Sequence, residues 1–361
     1  MGAPLAGSVS PNGNLEAILE QDDRCAYLYL REPDDAPFPL GLGVRSCWVR
    51  NLAPAPPMIR ISEMREGLAP MMPAPSCAHP EGAPPLSGGA VRFVWLEEGD
   101  AVALLEGDDL LAIMPCWSGR EGFQGYARDC TEESPLASPL GADNVFRERV
   151  RAAEAYWRSW LEGDPWPPVR EAGLKAIAVA LGKPTHTYPL GGAWPPQALV
   201  RCARADAVVL VTCGVQLRPQ PSVELHAEDP RPLRRIELAL GIERPLFDLA
   251  PERIMAWVST QARSPWQRLA WLGHRHTVAC DAIPPGPSGR AFGAALLLRH
   301  AIGAPEVAFP PFRNDPVTLL WMVPITADER GLAERAGSEE LPRRLARKGH
   351  GFVHRDRAPV A

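Results

Sequence analysis

Short runs in which apolar and polar residues alternate fill the first third of the chain, and turn residues separate them. Leu15 to Gln21 and Arg24 to Glu32 flank Asp22-Asp23, and Cys25, Tyr27 and Tyr29 share one side of the second run. A period of two on either side of an acidic turn predicts a β-hairpin. Val44 to Leu52 predicts another strand. Val91 to Glu97 and Ala101 to Leu105 are joined by Glu98-Gly99-Asp100, and Asp109 to Pro115 follows Gly107-Asp108, so a further set of strands is expected there. Ile61 to Gly67 fits a short helical turn. Between these groups Pro73, Pro75, Pro80, Pro84 and Pro85 strip backbone donors from Met71 to Pro85, which predicts loop.

The period then changes. Phe146, Val150, Ala153, Trp157 and Trp160 recur at helical spacing behind a capping Asp143 or Asn144, and Gly163-Asp-Pro165 ends the run. Val169 to Leu181 predicts an apolar helix closed by Gly182. The triplets Trp166-Pro-Pro168 and Trp194-Pro-Pro196 bracket it and read as rigid punctuation between domains. Ala207 to Val215 is an unbroken, β-branched run, the composition of a strand buried on both faces. Pro221 to His226, Arg235 to Ile242, Thr277 to Ala282, Ala294 to Ile302 and Val317 to Ile325 predict further strands. Pro251 suits the first position of a helix through about Arg263, with Ile254, Met255 and Val258 on one face. Thr326-Ala-Asp-Glu329 spells a capping box, Gly337 is expected to end its helix, and Ser338 can cap another. The basic stretch from Arg343 to Ala361 is expected to fray. Together these elements predict an α+β fold of two mixed lobes, their sheets largely antiparallel or mixed, with helices packed on them. The expected divisions are a β-rich domain over 1–165 ending in a helix, a second domain over 166–345, and a basic tail over 346–361.

Composition narrows the class. The 361 residues suffice for about two domains with real cores. The 41 prolines, about twice the usual share, favour short strands and turns over long helices. A formal net charge of -5 argues against a nucleic-acid binder, which needs a basic surface. The charge is uneven: residues 1–165 carry 13 basic and 25 acidic side chains, and residues 166–361 carry 25 basic and 18 acidic. Such halves either attract each other or meet different partners, and two independently solvated surfaces would look the same. None of the eight cysteines forms a CxxC pair, no secretory leader is visible at the start, and no apolar run is long enough to span a membrane. A cytoplasmic protein with reduced thiols, making no membrane contact, is expected.

Familiar catalytic motifs do not occur: Gly286-Pro-Ser-Gly289 has the wrong spacing for a nucleophile elbow, and Gly41-Leu-Gly43 is a lone G-x-G with no phosphate-binding loop around it. One cluster stands out. In Trp271-Leu-Gly-His-Arg-His-Thr-Val-Ala-Cys280-Asp281, an extended backbone would put His274, His276 and Cys280 on one face. Imidazole and thiolate are zinc-type ligands, and a thiol beside an imidazole is a possible nucleophile. A metal-dependent or thiol hydrolase centred on these three residues is therefore the alternative to a structural role, in which the imidazoles bond loop carbonyls beside Trp271.

Four stretches carry a family resemblance. They are Val208 to Val215 with Arg218-Pro-Gln-Pro-Ser-Val-Glu-Leu225, then Arg235-Ile-Glu-Leu238, then Trp271-Leu-Gly-His274 with His276-Thr-Val278, and finally Val317 to Thr326 leading to Glu329-Arg330 and Gly337. On these residues the chain from Gln197 to Leu345 resembles the suppressor of fused (SUFU) domain family. Where that family often has Gly-Met-Ser, this chain has Gly214-Val-Gln216. The first 165 residues look like the N-terminal extension of larger bacterial members. The resemblance implies a mixed α/β domain that binds a protein partner, needs no cofactor and catalyses nothing. The eukaryotic relative, a negative regulator in Hedgehog signalling, clamps an extended peptide by adding it as a β-strand, and bacterial relatives are proposed as immunity proteins against toxins. The candidate binding residues are Trp194, a tryptophan beside Pro-Pro suited to an interface anchor, and Arg218, Glu224, Trp271, His274 and His276 within the resembling stretches, with Arg218 and Glu224 equally suited to an internal ion pair.

Overall fold

The turn at Asp22 shows how local chemistry sets the first sheet. Asp22 Oδ1 accepts the backbone N–H groups of Arg24 (2.7 Å) and Cys25 (2.8 Å), which fixes the reversal between two strands. The computed structural model describes residues 4–36, 41–190, 196–336 and 339–360. It divides into two units: the chain up to Gly163 together with Trp266–Leu269, and Asp164–Pro265 together with the chain from Ala270 onward.

In the first unit β1 (Pro4–Val9), β2 (Glu16–Gln21), β3 (Cys25–Arg31) and β4 (Arg45–Asn51) form an antiparallel sheet in sequence order. A short helix α1 (Ile61–Arg65) follows. β5 (Val91–Trp95), β6 (Val102–Glu106), β7 (Asp109–Met114), β8 (Tyr126–Ala127) and β9 (Ser138–Pro139) form a five-stranded sheet, again in sequence order. Leu15, Leu28, Leu30 and Trp48 anchor the main core, and α2 (Phe146–Glu162) closes a smaller one with Phe146, Val150 and Ala153 and also buries Tyr156. Val145, not the expected Asp143 or Asn144, takes the N-cap of that helix, while Asn144 Oδ1 just before it accepts the Phe146 N–H at 3.0 Å. Tyr156, not Trp157 or Trp160, fills the buried position. Trp157 stays at the margin, where its indole N–H donates to the Trp95 carbonyl at 2.7 Å.

The second unit opens with α3 (Trp166–Leu181), then β10 (Pro184–Pro189), β11 (Ala198–Ala203), β12 (Ala207–Cys213), α4 (Arg231–Arg234), β13 (Arg235–Glu243), α5 (Arg244–Leu249) and α6 (Pro251–Arg268). β14 (Thr277–Ala279), β15 (Ala294–Leu298), β16 (Val317–Ile325), α7 (Ala327–Ala336), α8 (Glu340–Arg347) and β17 (Val353–His354) complete it. These strands make one mixed eight-stranded sheet of order β10-β11-β12-β13-β16-β15-β14, with β17 also on β13. The β13–β16 and β13–β17 pairs are parallel and the rest antiparallel. Every residue of β12 is buried, as its β-branched composition requires. The α+β class is thus the observed one.

Several expectations change. Trp166-Pro-Pro168, just after the division between the two units, is the first turn of α3 rather than a segment outside the helix, and prolines cost nothing there because those N–H groups have no helical partner. Pro221 to His226 is not a strand: Val223–Leu225 is a 3-10 turn entered through Ser222 at φ 61°. β1, β10 and β11 lack a clean alternation and were not expected. The chain end is not frayed: α8 buries Leu341 and Leu345, and β17 joins the sheet. Trp194, Gly337 and Ser338 lie outside the described residues.

Candidate protein-binding surface

Charged residues at the centre of an apolar sheet need internal partners. Glu237 on β13 has 0% exposure. Its carboxyl accepts the Thr212 hydroxyl (2.5 Å) and the backbone N–H groups of Gly214 (2.8 Å) and Gln216 (3.2 Å). Burial outweighs these bonds and pushes Glu237 up to about 7. Gly214 makes the turn possible: it sits at φ 107°, and a Cβ there would lie 2.7 Å from both the Pro196 carbonyl and the Trp166 ring. Arg235, 1% exposed, donates from Nε to Asp315 (3.0 Å) and from Nη1 to the carbonyls of Gln216 (3.0 Å) and Leu217 (3.1 Å), while covering the Phe312 ring.

Gln220 ties the next loop down. Its Oε1 accepts the Leu272 N–H (2.8 Å), and its Nε2 donates to the carbonyls of Leu272 (3.0 Å) and Leu233 (2.8 Å). A proline-flanked amide thereby holds together segments 52 residues apart in sequence. Trp271, half-buried beside this clamp, packs edge-on against His276 at 4.3 Å and tilted against His226 at 5.7 Å. Its ring lies over Gly273, where a Cβ would come within 2.2 Å of it.

The expected convergence of His274, His276 and Cys280 does not occur. Only Thr277–Ala279 is strand, and Arg275 at φ 73° breaks the alternation that would have aligned the two imidazoles. His274 Nδ1 accepts the Arg299 N–H, and His276 Nδ1 accepts the Gly273 N–H. Burial lowers the affinity of both imidazoles for a proton, and Arg275 and Arg299 add to the effect at His274. Cys280 has 0% exposure, and burial pushes its thiol up to about 11, so it is no ready nucleophile. Among the described residues no three of His, Cys, Asp and Glu are placed to hold a metal ion. Arg218 is buried and Glu224 half-buried, in and beside the short turns that follow β12. The structure therefore brings Trp271 and His276 together, while His274 meets the Arg299 backbone.

The sheet's two ends differ. At β14, the Trp257 indole N–H caps the Ala279 carbonyl at 2.8 Å. At β10, the Leu190 N–H bonds the Gln197 carbonyl at 2.9 Å, which fixes the phase of the ladder. With Thr187 opposite Val200 and Pro189 opposite Ala198, the alternation turns the peptide groups of Thr187 and Pro189 away from β11. Pro189 lacks a donor on that outer side, as edge strands tolerate.

The far end of the domain is closed by a buried ion pair. Thr326 and Glu329 form the expected capping box, with the Thr326 N–H on Glu329 Oε2 (2.9 Å) and the Glu329 N–H on Thr326 Oγ1 (3.3 Å). Glu329 also receives two bonds from Arg357 and the Val360 N–H. Burial alone would raise its carboxyl, but the Arg357 guanidinium and these N–H groups hold it below the usual range.

Residues 194–356 match the profile of the Suppressor of fused protein (SUFU) family. This stretch is a SUFU domain. No curated protein and no solved structure matches the chain. The SUFU motifs coincide with the internal frame: the β12 turn, the Gln220 clamp, the Arg235–Glu237 strand start and the Thr326–Glu329 cap. The departure at Gly214-Val-Gln216 is harmless to this frame, because backbone N–H groups rather than side chains meet Glu237. Gln220, Arg235, Glu237 and Arg357 were missed as key residues. The available signal was charge inside an otherwise apolar strand, Arg-Ile-Glu-Leu-Ala-Leu. No helix among the described residues is long and apolar enough to cross a membrane.

Proposed function

We propose that this chain is a non-enzymatic protein-binding module whose SUFU-containing unit takes an extended segment of a protein partner along β10. The family is generally one of non-catalytic protein interaction. The observation that carries the reading is that β10 is an end strand whose outward peptide groups at Thr187 and Pro189 are in register to pair, in a sheet whose buried Arg235 and Glu237 are held by internal bonds. Trp271 and His276 offer a half-exposed ring pair for partner side chains, while Arg218 and Glu224 support the turns behind them. The functional divisions are residues 1–165 and the remainder, the basic 346–361 stretch being built into the latter through β17 and Arg357, and the partner is a protein such as a toxin held inactive in the cytoplasm.

Thr187→Pro tests this. It removes the outward N–H without touching the β11 ladder, so folding should persist and thermal melting should shift little. Affinity capture with the full chain should yield a specific protein that T187P fails to retain. Equal capture by T187P, or no specific protein at all, would sink the reading.

A further inference from the structure

We propose that the outer face of α1 and the cavity beside it form a docking surface for a basic, amphipathic segment of a protein partner. Twelve large hydrophobic side chains are exposed among the described residues, and four of them fall in one stretch: Met58 (70%), Ile61 (63%), Met64 (48%) and Leu68 (41%). Ile61 and Met64 are spaced i, i+3 on one face of α1, and Leu68 follows just beyond the helix. The helix ends in a tight closure, with Gly67 at φ 80° and the Leu68 N–H on the Glu63 carbonyl at 3.0 Å, which sets Leu68 beside that face.

α1 buries none of its residues. A helix this short does not persist on propensity alone. Polar ties hold it: Arg24 bonds Glu63 (2.8 Å) and the Ala69 carbonyl (2.8 Å), and the Tyr27 hydroxyl bonds the Pro70 carbonyl (2.5 Å). The sequence thus anchors the helix through its polar side and leaves a methionine-bearing apolar face in water, an adaptable surface for partner side chains.

Beside it lies a cavity of about 230 Å³, lined by Glu20, Asp22, Asp23, Tyr27, Tyr29 and Leu68 among others. Its only cationic lining residue, Arg24, is already paired with Glu63 and Asp22. Tyrosine rings stacked at 5.9 Å and surplus carboxylates suit a lysine or arginine side chain. The 25 acidic against 13 basic residues of positions 1–165 extend the same attraction. A second copy would bring like charge onto like charge across a two-fold axis, and anionic headgroups would be repelled. A basic polypeptide with apolar anchors satisfies both halves of the surface.

The test uses the full chain and two labelled model peptides of one helical pattern, one of leucine and lysine, the other of leucine and glutamate, followed by fluorescence anisotropy. The leucine–lysine peptide should bind and the leucine–glutamate peptide should not. The double variant M64S/L68S should weaken binding about tenfold or more. Asp23→Lys should weaken it several-fold and flatten its salt dependence. Unchanged affinity in M64S/L68S, or equal binding of both peptides, overturns the proposal. So does sedimentation of the wild type as a dimer that M64S/L68S converts to monomer, which would give the face to a second copy. T187P should leave this binding intact, so failure here and failure of strand addition at β10 are told apart.

Discussion

The two units solve the same problem, covering an apolar sheet, by opposite connectivity. In the first unit each strand pairs with its neighbour in sequence, and short turns such as those at Asp22 and Gly107-Asp108 set the register of the β2–β3 and β6–β7 pairs. In the second unit the central pair, β13 with β16, joins Arg235 to Val317 and runs parallel. Such a pair has no turn to set its register, so the register must come from side chains that reach across the gap. Arg235 to Asp315 is such a contact, and Gln220 to Leu272 and Arg357 to Glu329 brace other long connections of the same unit. The SUFU match falls on the unit with non-local pairing, and its motif residues sit at the long-range junctions. The difference teaches that family signatures here mark where distant segments must find each other.

The largest effect is expected where a long-range junction is a buried charge pair. Arg357→Leu leaves Glu329 charged without its guanidinium and should cost about 3–5 kcal/mol in denaturant unfolding. Replacing both Arg357 and Glu329 by leucine should recover part of that loss. Gln220→Ala strips bonds from Leu272 and Leu233 and should cost about 2 kcal/mol. A loss as small as that of a surface substitution would break the comparison.

Buried titration should sharpen it next. Glu237 is raised from 4.5 to about 7, so its contribution is full below pH 4.5 and fades as pH rises through 7. His354, buried against Phe292, is lowered by burial from 6.5 to about 3, so its contribution is full above pH 6.5 and fades as pH falls toward 3. Between pH 4.5 and 6.5 the two slopes oppose each other, each at most about 1.4 kcal/mol per pH unit. Unfolding of Glu237→Gln across this window should show stability falling on acidification. His354→Leu should show it rising, and the wild type should be flatter than either. Identical pH profiles for the two variants would contradict the assignment.

The smallest effect belongs to the locally connected unit. Gly107, in the turn between β6 and β7, sits at φ 58° with open space around it. Gly107→Ala should therefore cost only backbone strain, about 1 kcal/mol, read as a small shift in the unfolding midpoint.

The sequence was readable where structure is local. Hydrophobic period two and Asp22-Asp23 marked the β2–β3 hairpin, and an unbroken apolar run marked β12 and β16. The Thr326–Glu329 box was legible because both partners lie within one helical turn. Prolines misled at Trp166-Pro-Pro168, where tolerance in a helix's first turn looks identical to a break. The cluster of His274, His276 and Cys280 misled because alternation assumes a β backbone, and one positive φ at Arg275 undoes it.

By itself, then, the chain's pattern determined the elements, the α+β class and the residues that resemble the SUFU family, since those depend on neighbours a few positions apart. Tertiary structure alone decided the sheet order, which charges became internal braces and which strand edge and helix face stayed open. Those outcomes depend on groups far apart in the chain, 28 residues for Arg357 and Glu329 and 80 for Arg235 and Asp315, and no short-range period records such a meeting.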